Sequence, residues 1–221
     1  MFAYEERTMR KLGLLTLAAP LALGFFGVAN AAPITTPPPA LTATGDVQAV
    51  YVFADAGDTS VLGETAPIAF PQIFCNHSTG GCTGGSAGNT VDLGIQAGGL
   101  VFSLDNLTKG TSYLSNVADT DGNFHALITT NYADFGVGSL PGAVDAYISG
   151  LPVGTTVTFV GWEDRNEAQN SDFDYNDLIF AFTNTTTTPP VPTPEPATLS
   201  LLGAGILGFA AMRRRQRRKS A

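Results

Sequence analysis

Residues 155–182 read TTVTFVGWEDRNEAQNSDFDYNDLIFAF. Two β-strand patterns flank a polar loop in this stretch, and the reading of the whole chain turns on them. On the first side Val157 and Phe159 alternate with Thr156 and Thr158, the period of a strand. On the second side Leu178, Phe180 and Phe182 share one face. Between them, residues 162–180 hold six acidic side chains and one base, Arg165. Two like charges 4 Å apart at an effective dielectric near 20 repel by about 4 kcal/mol. A fold tolerates such crowding when the groups stay apart in water or when a cation sits between them.

The rest of residues 41–182 is rich in Thr, Val, Phe, Gly and Asn, with turn signals every ten or so positions. That spacing predicts an all-β fold, an antiparallel β-sandwich or jelly-roll-like body over residues 32–183. Strands are expected at 47–54, 100–104, 123–130, 155–162 and 178–182. Asp121-Gly122 is a hairpin-type pair. Only 141–150 reads as a helix, with Val144, Tyr147 and Ile148 at helical spacing and Pro141 near its start.

The ends differ from the body. Arg7, Arg10 and Lys11 precede an apolar run, and Ala29-Asn30-Ala31 supplies small residues at the positions signal peptidase reads. Residues 1–31 are therefore read as a signal peptide, with Met9 as an alternative start and a transmembrane anchor as the competing reading. Residues 184–196 are a Thr/Pro linker. Residues 197–212 are apolar or small and uncharged; as a helix they extend ~24 Å, short of the ~30 Å hydrocarbon core but able to span it with local thinning. Arg213, Arg214, Arg215, Arg217, Arg218 and Lys219 follow as a basic anchor expected on the cytoplasmic side.

With those ends set aside, Lys109 and Arg165 are the only bases between residues 32 and 193, against sixteen acidic residues. Such a surface repels phosphate backbones, which argues against nucleic acid as a partner and favours divalent cations or simple solubility in an extracellular space. Cys75 and Cys82 are expected to form a disulfide in an exported chain; the alternative is a metal site using His77.

Asp172, Asp174 and Asn176 recur at every second residue, and Asp177 opens the last strand. Alternating oxygens in a turning loop are the logic by which calcium collects six to eight ligands. The pattern is not an EF-hand, since Asp177 stands where the turn glycine belongs and Thr183 where the closing Glu belongs. The expected calcium ligands are Glu163, Asp164, Asp172, Asp174, Asn176 and Asp177; the competing reading is a solvated acidic loop without an ion. Asp119-Thr120-Asp121-Gly122-Asn123 and Asp55-Ala56-Gly57-Asp58 are lesser candidates for a second cation. No G-x-S-x-G motif accompanies His77 or His125. Asn76, Asn106 and Asn184 begin Asn-x-Ser/Thr sequons read as fortuitous.

Two resemblances follow from these motifs. Pro194-Glu195-Pro196, the short apolar helix and the terminal Arg run resemble the PEP-CTERM sorting signal of Gram-negative bacteria. The resemblance implies export with signal peptidase, recognition at the PEP motif by exosortase, transient anchoring in the inner membrane, and release to the cell surface or exopolysaccharide matrix; a permanent single-span anchor is the alternative. Trp162-Glu163-Asp164 followed by Ser171-Asp172-Phe173-Asp174-Tyr175-Asn176-Asp177-Leu178 resembles an uncharacterised domain of bacterial surface proteins often joined to such tails, which implies a β-rich calcium-binding body. The expected function is a non-catalytic, calcium-stabilised adhesive or structural element of a biofilm. The alternatives are a carbohydrate-binding module and a glycoside hydrolase using carboxylates of the acidic loop.

Overall fold

The computed structural model describes residues 32–189. The signal peptide at 1–31, the sorting motif Pro194–Glu195–Pro196, the apolar segment at 197–212 and the basic anchor at 213–219 lie outside the described residues. No helix among the described residues is long and apolar enough to cross a membrane.

Eleven strands follow in chain order: β1 (Ala40–Ala43), β2 (Asp46–Ala54), β3 (Ser60–Ala66), β4 (Phe70–Cys75), β5 (Thr90–Ile95), β6 (Gly98–Asn106), β7 (Thr111–Leu114), β8 (Ala126–Thr129), β9 (Val157–Trp162), β10 (Leu178–Thr183) and β11 (Thr185–Thr188). Among the described residues a single α-helix, α1 (Gly142–Ser149), is present, between β8 and β9. One sheet has the order β11-β1-β6-β3-β4, and β7 pairs with the far end of β6. The other has the order β5-β2-β10-β9-β8. Every strand pairing is antiparallel, as the sandwich reading expects.

The alternation in β10 explains how the layers meet. Leu178, Phe180 and Phe182 point between the sheets, where Phe182 stacks on Phe102 at 4.1 Å and Phe180 on Phe74 at 5.7 Å. Val160 and Trp162 of β9 and Leu62, Leu100 and Leu104 of the facing sheet complete that core. Full burial of such side chains is worth roughly 1.5–3 kcal/mol each. The opposite face of the second sheet is covered as well. Ile179, Ala181, Phe159, Val50 and Val52 pack against Val144 of α1, Phe135, Phe173 and Tyr175. β9 and β10 are thus buried on both faces, which simple alternation did not anticipate.

Several local expectations need correction. The fold extends past residue 183: the Thr run taken as the start of the linker forms β11, which pairs with β1 from Ala43↔Thr185 to Ala40↔Thr188. Threonine is β-branched and suits a strand once a partner edge is present. The strand expected at 123–130 is shorter, Ala126–Thr129. The turn at Asp121-Gly122 exists, with the Gly122 amide donating to the Asp119 carbonyl at 2.9 Å and φ of 83° at Gly122. It joins β7 of one sheet to β8 of the other, and so is not a hairpin turn. Cys75 and Cys82 form the expected disulfide, closing a loop at the end of β4.

Candidate metal centre

The acidic residues gather at one end of the sandwich, where β9 ends and β10 begins. Antiparallel pairing sets Trp162 opposite Leu178, which brings Glu163 and Asp164 beside Asp177. Glu163 and Asp164 are buried, 1 % and 2 % exposed, although both are carboxylates. Their backbone is fixed from two directions: the Glu163 amide donates to the His125 carbonyl at 3.0 Å, and the Asp164 amide to Asp177 Oδ2 at 2.9 Å.

The loop from Ser171 to Asp177 earns its shape from alternation. Phe173 and Tyr175 are buried and anchor it in the outer core. Both take left-handed backbone angles, φ 53° and 56°. Such a conformation costs a non-glycine residue roughly 1–2 kcal/mol, and burial of the two rings offsets it. The Tyr175 hydroxyl also donates to the Phe124 carbonyl at 3.1 Å and accepts from the Ile34 amide at 2.8 Å. Asp172 and Asp174 sit between and beside these anchors, and each reaches the Glu163 carboxylate. Ligand oxygens of Glu163, Asp172 and Asp174 lie within 4.8 Å of one another, as do those of Glu163, Asp164 and Asp177. Glu163 belongs to both groups. Asn176 plays a different part: its amide donates to Asp174 Oδ2 at 2.6 Å and its backbone N–H to Asp174 Oδ1 at 3.2 Å, bracing that carboxylate.

Gly161 makes this approach possible. A Cβ at that position would stand 2.3 Å from the Tyr175 carbonyl oxygen and 2.2 Å from the Phe135 ring. The acidic loop therefore lies directly on the β9 backbone, and a glycine inside a strand is the signal for such a close approach.

Charge compensation is incomplete. Arg165, the one base nearby, is committed to Asp58, with its Nε 2.8 Å from Asp58 Oδ2 and 4.0 Å from Asp164 Oδ1. That bond, with help from Asn106, holds the Asp58 carboxyl below its ordinary range despite partial desolvation. The central carboxyls go the other way. Burial, then the neighbouring Asp177, pushes Glu163 up to about 9. Burial, then Asp177 and Asp58, pushes Asp164 up to about 7. Asp177 and Asp174 are raised too, chiefly by burial. One oxygen of Glu163, Oε2, is buried without any hydrogen-bond partner. A protein whose buried carboxylates crowd in this way must either hold protons on them or bind a cation among them.

Parts of the sequence far from the loop complete the site. Ser60 Oγ, from β3, donates to Asp164 Oδ2 at 3.3 Å. Asn106, at the end of β6, donates to the Asp164 carbonyl at 2.8 Å and to Asp58 Oδ2 at 3.2 Å. The opposite sheet thereby holds the acidic end in place. No local pattern announced these two residues; Asn106 drew notice only as a sequon, and at 1 % exposure it is a buried structural amide. Asn76 is equally committed, donating to the Asp58 carbonyl and accepting from the Ser60 amide, both at 2.8 Å. Of the lesser candidates, Asp58 is a salt-bridge partner. Asp119 and Asp121 instead converge with His125. His77 lies apart, its Nε2 3.1 Å from the Ala56 carbonyl.

Residues 192–215 match the family of the PEP-CTERM protein-sorting motif. No curated protein and no solved structure matches the chain. The match falls on the segment that the sequence marks as an export and sorting device, and it is joined to a body of antiparallel sheets. The chain therefore carries a PEP-CTERM sorting signal and is an exported, exosortase-sorted protein with a β-rich body.

Proposed function

We propose that the body is a non-catalytic, calcium-stabilised β-sandwich that serves as an adhesive or structural element at the cell surface or in the exopolysaccharide matrix of a Gram-negative bacterium. One observation carries this reading: four carboxylates, Asp164 and Asp177 in one group and Asp172 and Asp174 in another, gather at the buried Glu163, which belongs to both groups and has an unpartnered oxygen. Calcium takes six to eight oxygens at ~2.3–2.6 Å, and monodentate, bidentate and water ligands all suit it. The ion would bind the folded body and not the separated loop, so it adds to stability by mass action. An all-oxygen, strongly anionic donor set fits calcium better than a metal that prefers nitrogen or sulfur. The resemblance of Trp162-Glu163-Asp164 and the Ser171–Leu178 stretch to a domain of bacterial surface proteins points the same way.

The burial of the centre argues against a hydrolase built on it. At 1 % and 2 % exposed, Glu163 and Asp164 are closed to a sugar ring arriving from solvent. A carbohydrate-binding role would draw on the exposed Asp172 instead.

The test is thermal melting of the chain with calcium and with chelator. Calcium at a hundred times its dissociation constant should add about 2.7 kcal/mol, and Asp177→Asn should remove most of that gain. Buried Trp162 adjoins Glu163 and should sensitise terbium luminescence. A melting temperature indifferent to calcium, together with no terbium signal, refutes the reading. A glycan screen with and without chelator then separates adhesion to polysaccharide from a purely structural role.

A further inference from the structure

A second cluster lies on the other side of the β8 entry, outside the acidic loop. The turn between β7 and β8 is pinned by its own backbone: the Asp119 amide donates to the Asn123 carbonyl at 2.8 Å and the Gly122 amide to the Asp119 carbonyl at 2.9 Å. Its geometry aims Asp119 and Asp121 at His125, and ligand atoms of the three lie within 4.8 Å of one another. His125 is 1 % exposed, yet neither ring nitrogen has a hydrogen-bond partner. The ring is held by stacking on Tyr113, with centroids 4.0 Å apart and planes at 21°. Its Nε2 faces Asp121 Oδ2 at 3.4 Å, without hydrogen-bond alignment.

That separation has a chemical reading. Two ligands of a tetrahedral ion, each bonded at ~2.1 Å, stand ~3.4 Å apart. A direct N–H···O⁻ bond would draw them to ~2.7–2.9 Å. Asp121 is oriented as ligating carboxylates commonly are: Oδ1 accepts from the Asn123 amide at 2.9 Å and Oδ2 from the Glu167 amide at 3.2 Å.

We propose that Asp119, Asp121 and His125 form a separate site for a divalent transition metal of the zinc class, with water in the fourth place. The imidazole nitrogen decides the class, because calcium and magnesium take oxygen ligands whereas zinc, cobalt and nickel accept imidazole. The site shares no ligand with the acidic loop; the Asp121–Glu167 hydrogen bond and the Glu163 amide donating to the His125 carbonyl join the two. Filling it would fasten the sheet-crossing turn to the loop that carries Glu163.

Cobalt(II) tests this on the full chain in detergent, with calcium in large excess so that oxygen-only sites are filled. Cobalt adopts the geometry of zinc and absorbs visible light. The expected result is the strong visible absorption of four-coordinate cobalt at one equivalent, abolished by an equivalent of zinc. The ¹⁵N resonances of His125 should shift on adding zinc while those of His77 stay. His125→Asn should abolish the absorption. Asp119→Asn, a near-isosteric change on the half-exposed turn, should weaken cobalt binding at least tenfold, while His77→Asn leaves it intact. Displacement of cobalt by calcium, weak six-coordinate spectra alone, or equal affinity in Asp119→Asn would overturn the proposal. The calcium melting experiment is scored separately, so either site can fail without the other.

Discussion

Gly161→Ala probes the contact on which the acidic end is built. The added methyl would lie 2.3 Å from the Tyr175 carbonyl oxygen and 2.2 Å from a carbon of Phe135, more than 1 Å inside ordinary contact distance. The Phe135 ring can swing, but the Tyr175 oxygen is backbone, held in a loop with left-handed angles at residues 173 and 175. Relief requires that the loop lift from β9. Overpacking costs about 1–3 kcal/mol, and a fixed backbone atom puts this case at the upper end, about 3 kcal/mol. For a body of this size each 1 kcal/mol moves the melting temperature by roughly 2–4 °C, so the expected loss is about 6–12 °C. Because the lifted loop carries Asp172, Asp174 and Asp177, calcium should restore less of the melting temperature in the variant than in the parent. Gly142→Ala is the matched control: it opens α1, and no atom lies within 4 Å of its added carbon. Helix propensity favours that change by up to about 1 kcal/mol, so its melting temperature should equal or exceed the parent's. A Gly161→Ala protein that melts within a degree of the parent, with an unchanged response to calcium, would refute the idea that strand and loop are in direct backbone contact.

Glu64 should make stability fall with pH. It is 2 % exposed, both carboxylate oxygens lack partners, and burial pushes it from 4.5 up to about 7. The folded chain thus holds a proton that the unfolded chain has released, and stability drops as pH rises from about 4.5 through 7, by about 3 kcal/mol in all. Glu64→Gln, neutral at every pH, should match the parent in urea melts near pH 4.5 and exceed it by about that amount at pH 8; parallel pH profiles would count against the assignment. Breaking the Cys75–Cys82 bridge opens a loop with sequence separation 7, and the loop-closure model puts its worth at about 2.5 kcal/mol. The double Cys→Ser variant should melt roughly 5–10 °C lower, and the reductant-treated parent should match it; an unchanged melting curve would show that the bridge adds nothing to the fold.

What could be read from the sequence was what repeats locally. β2, β6, β9 and β10 carry strand periodicity or strand composition, α1 carries helical spacing, and the two cysteines sit close together in an exported chain. The acidic residues were visible as a group because 162–180 concentrates them. Their arrangement was less legible. Asp-x-Asp-x-Asn suggests three equivalent oxygens, whereas Asn176 turns back to brace Asp174 and the nearest partners of Asp174 and Asp172 include Glu163 from the end of β9. The alternating aromatics were the overlooked half of the motif: Phe173 and Tyr175 anchor the loop that presents the acids. β11 was missed because a Thr/Pro composition describes a free segment equally well, and only the open edge of β1 decides otherwise.

The remaining omissions share one cause, which also explains why the acidic end belongs to the sandwich as a whole. Ser60 and Asn106 come from the start of β3 and the end of β6, and Asp58, legible only as part of a turn, from the β2–β3 turn, all far along the chain from Asp164. Antiparallel pairing carries the ends of these strands to one rim, so residues with no local pattern become neighbours. The consequence is energetic as well as geometric. Asp164 is in contact with both sheets, while Glu163 faces the loop and, through its backbone, His125 of the β8 entry. A cation held among these carboxylates would therefore tie together β3, β6, β9 and β10 at the place where like charge otherwise pushes them apart. Calcium should accordingly raise the cooperativity of unfolding along with the melting temperature, and amide exchange should slow in Ser60 and Asn106 as well as in the 171–177 loop. Protection confined to that loop would mean that the ion orders a local turn and does not clamp the two sheets.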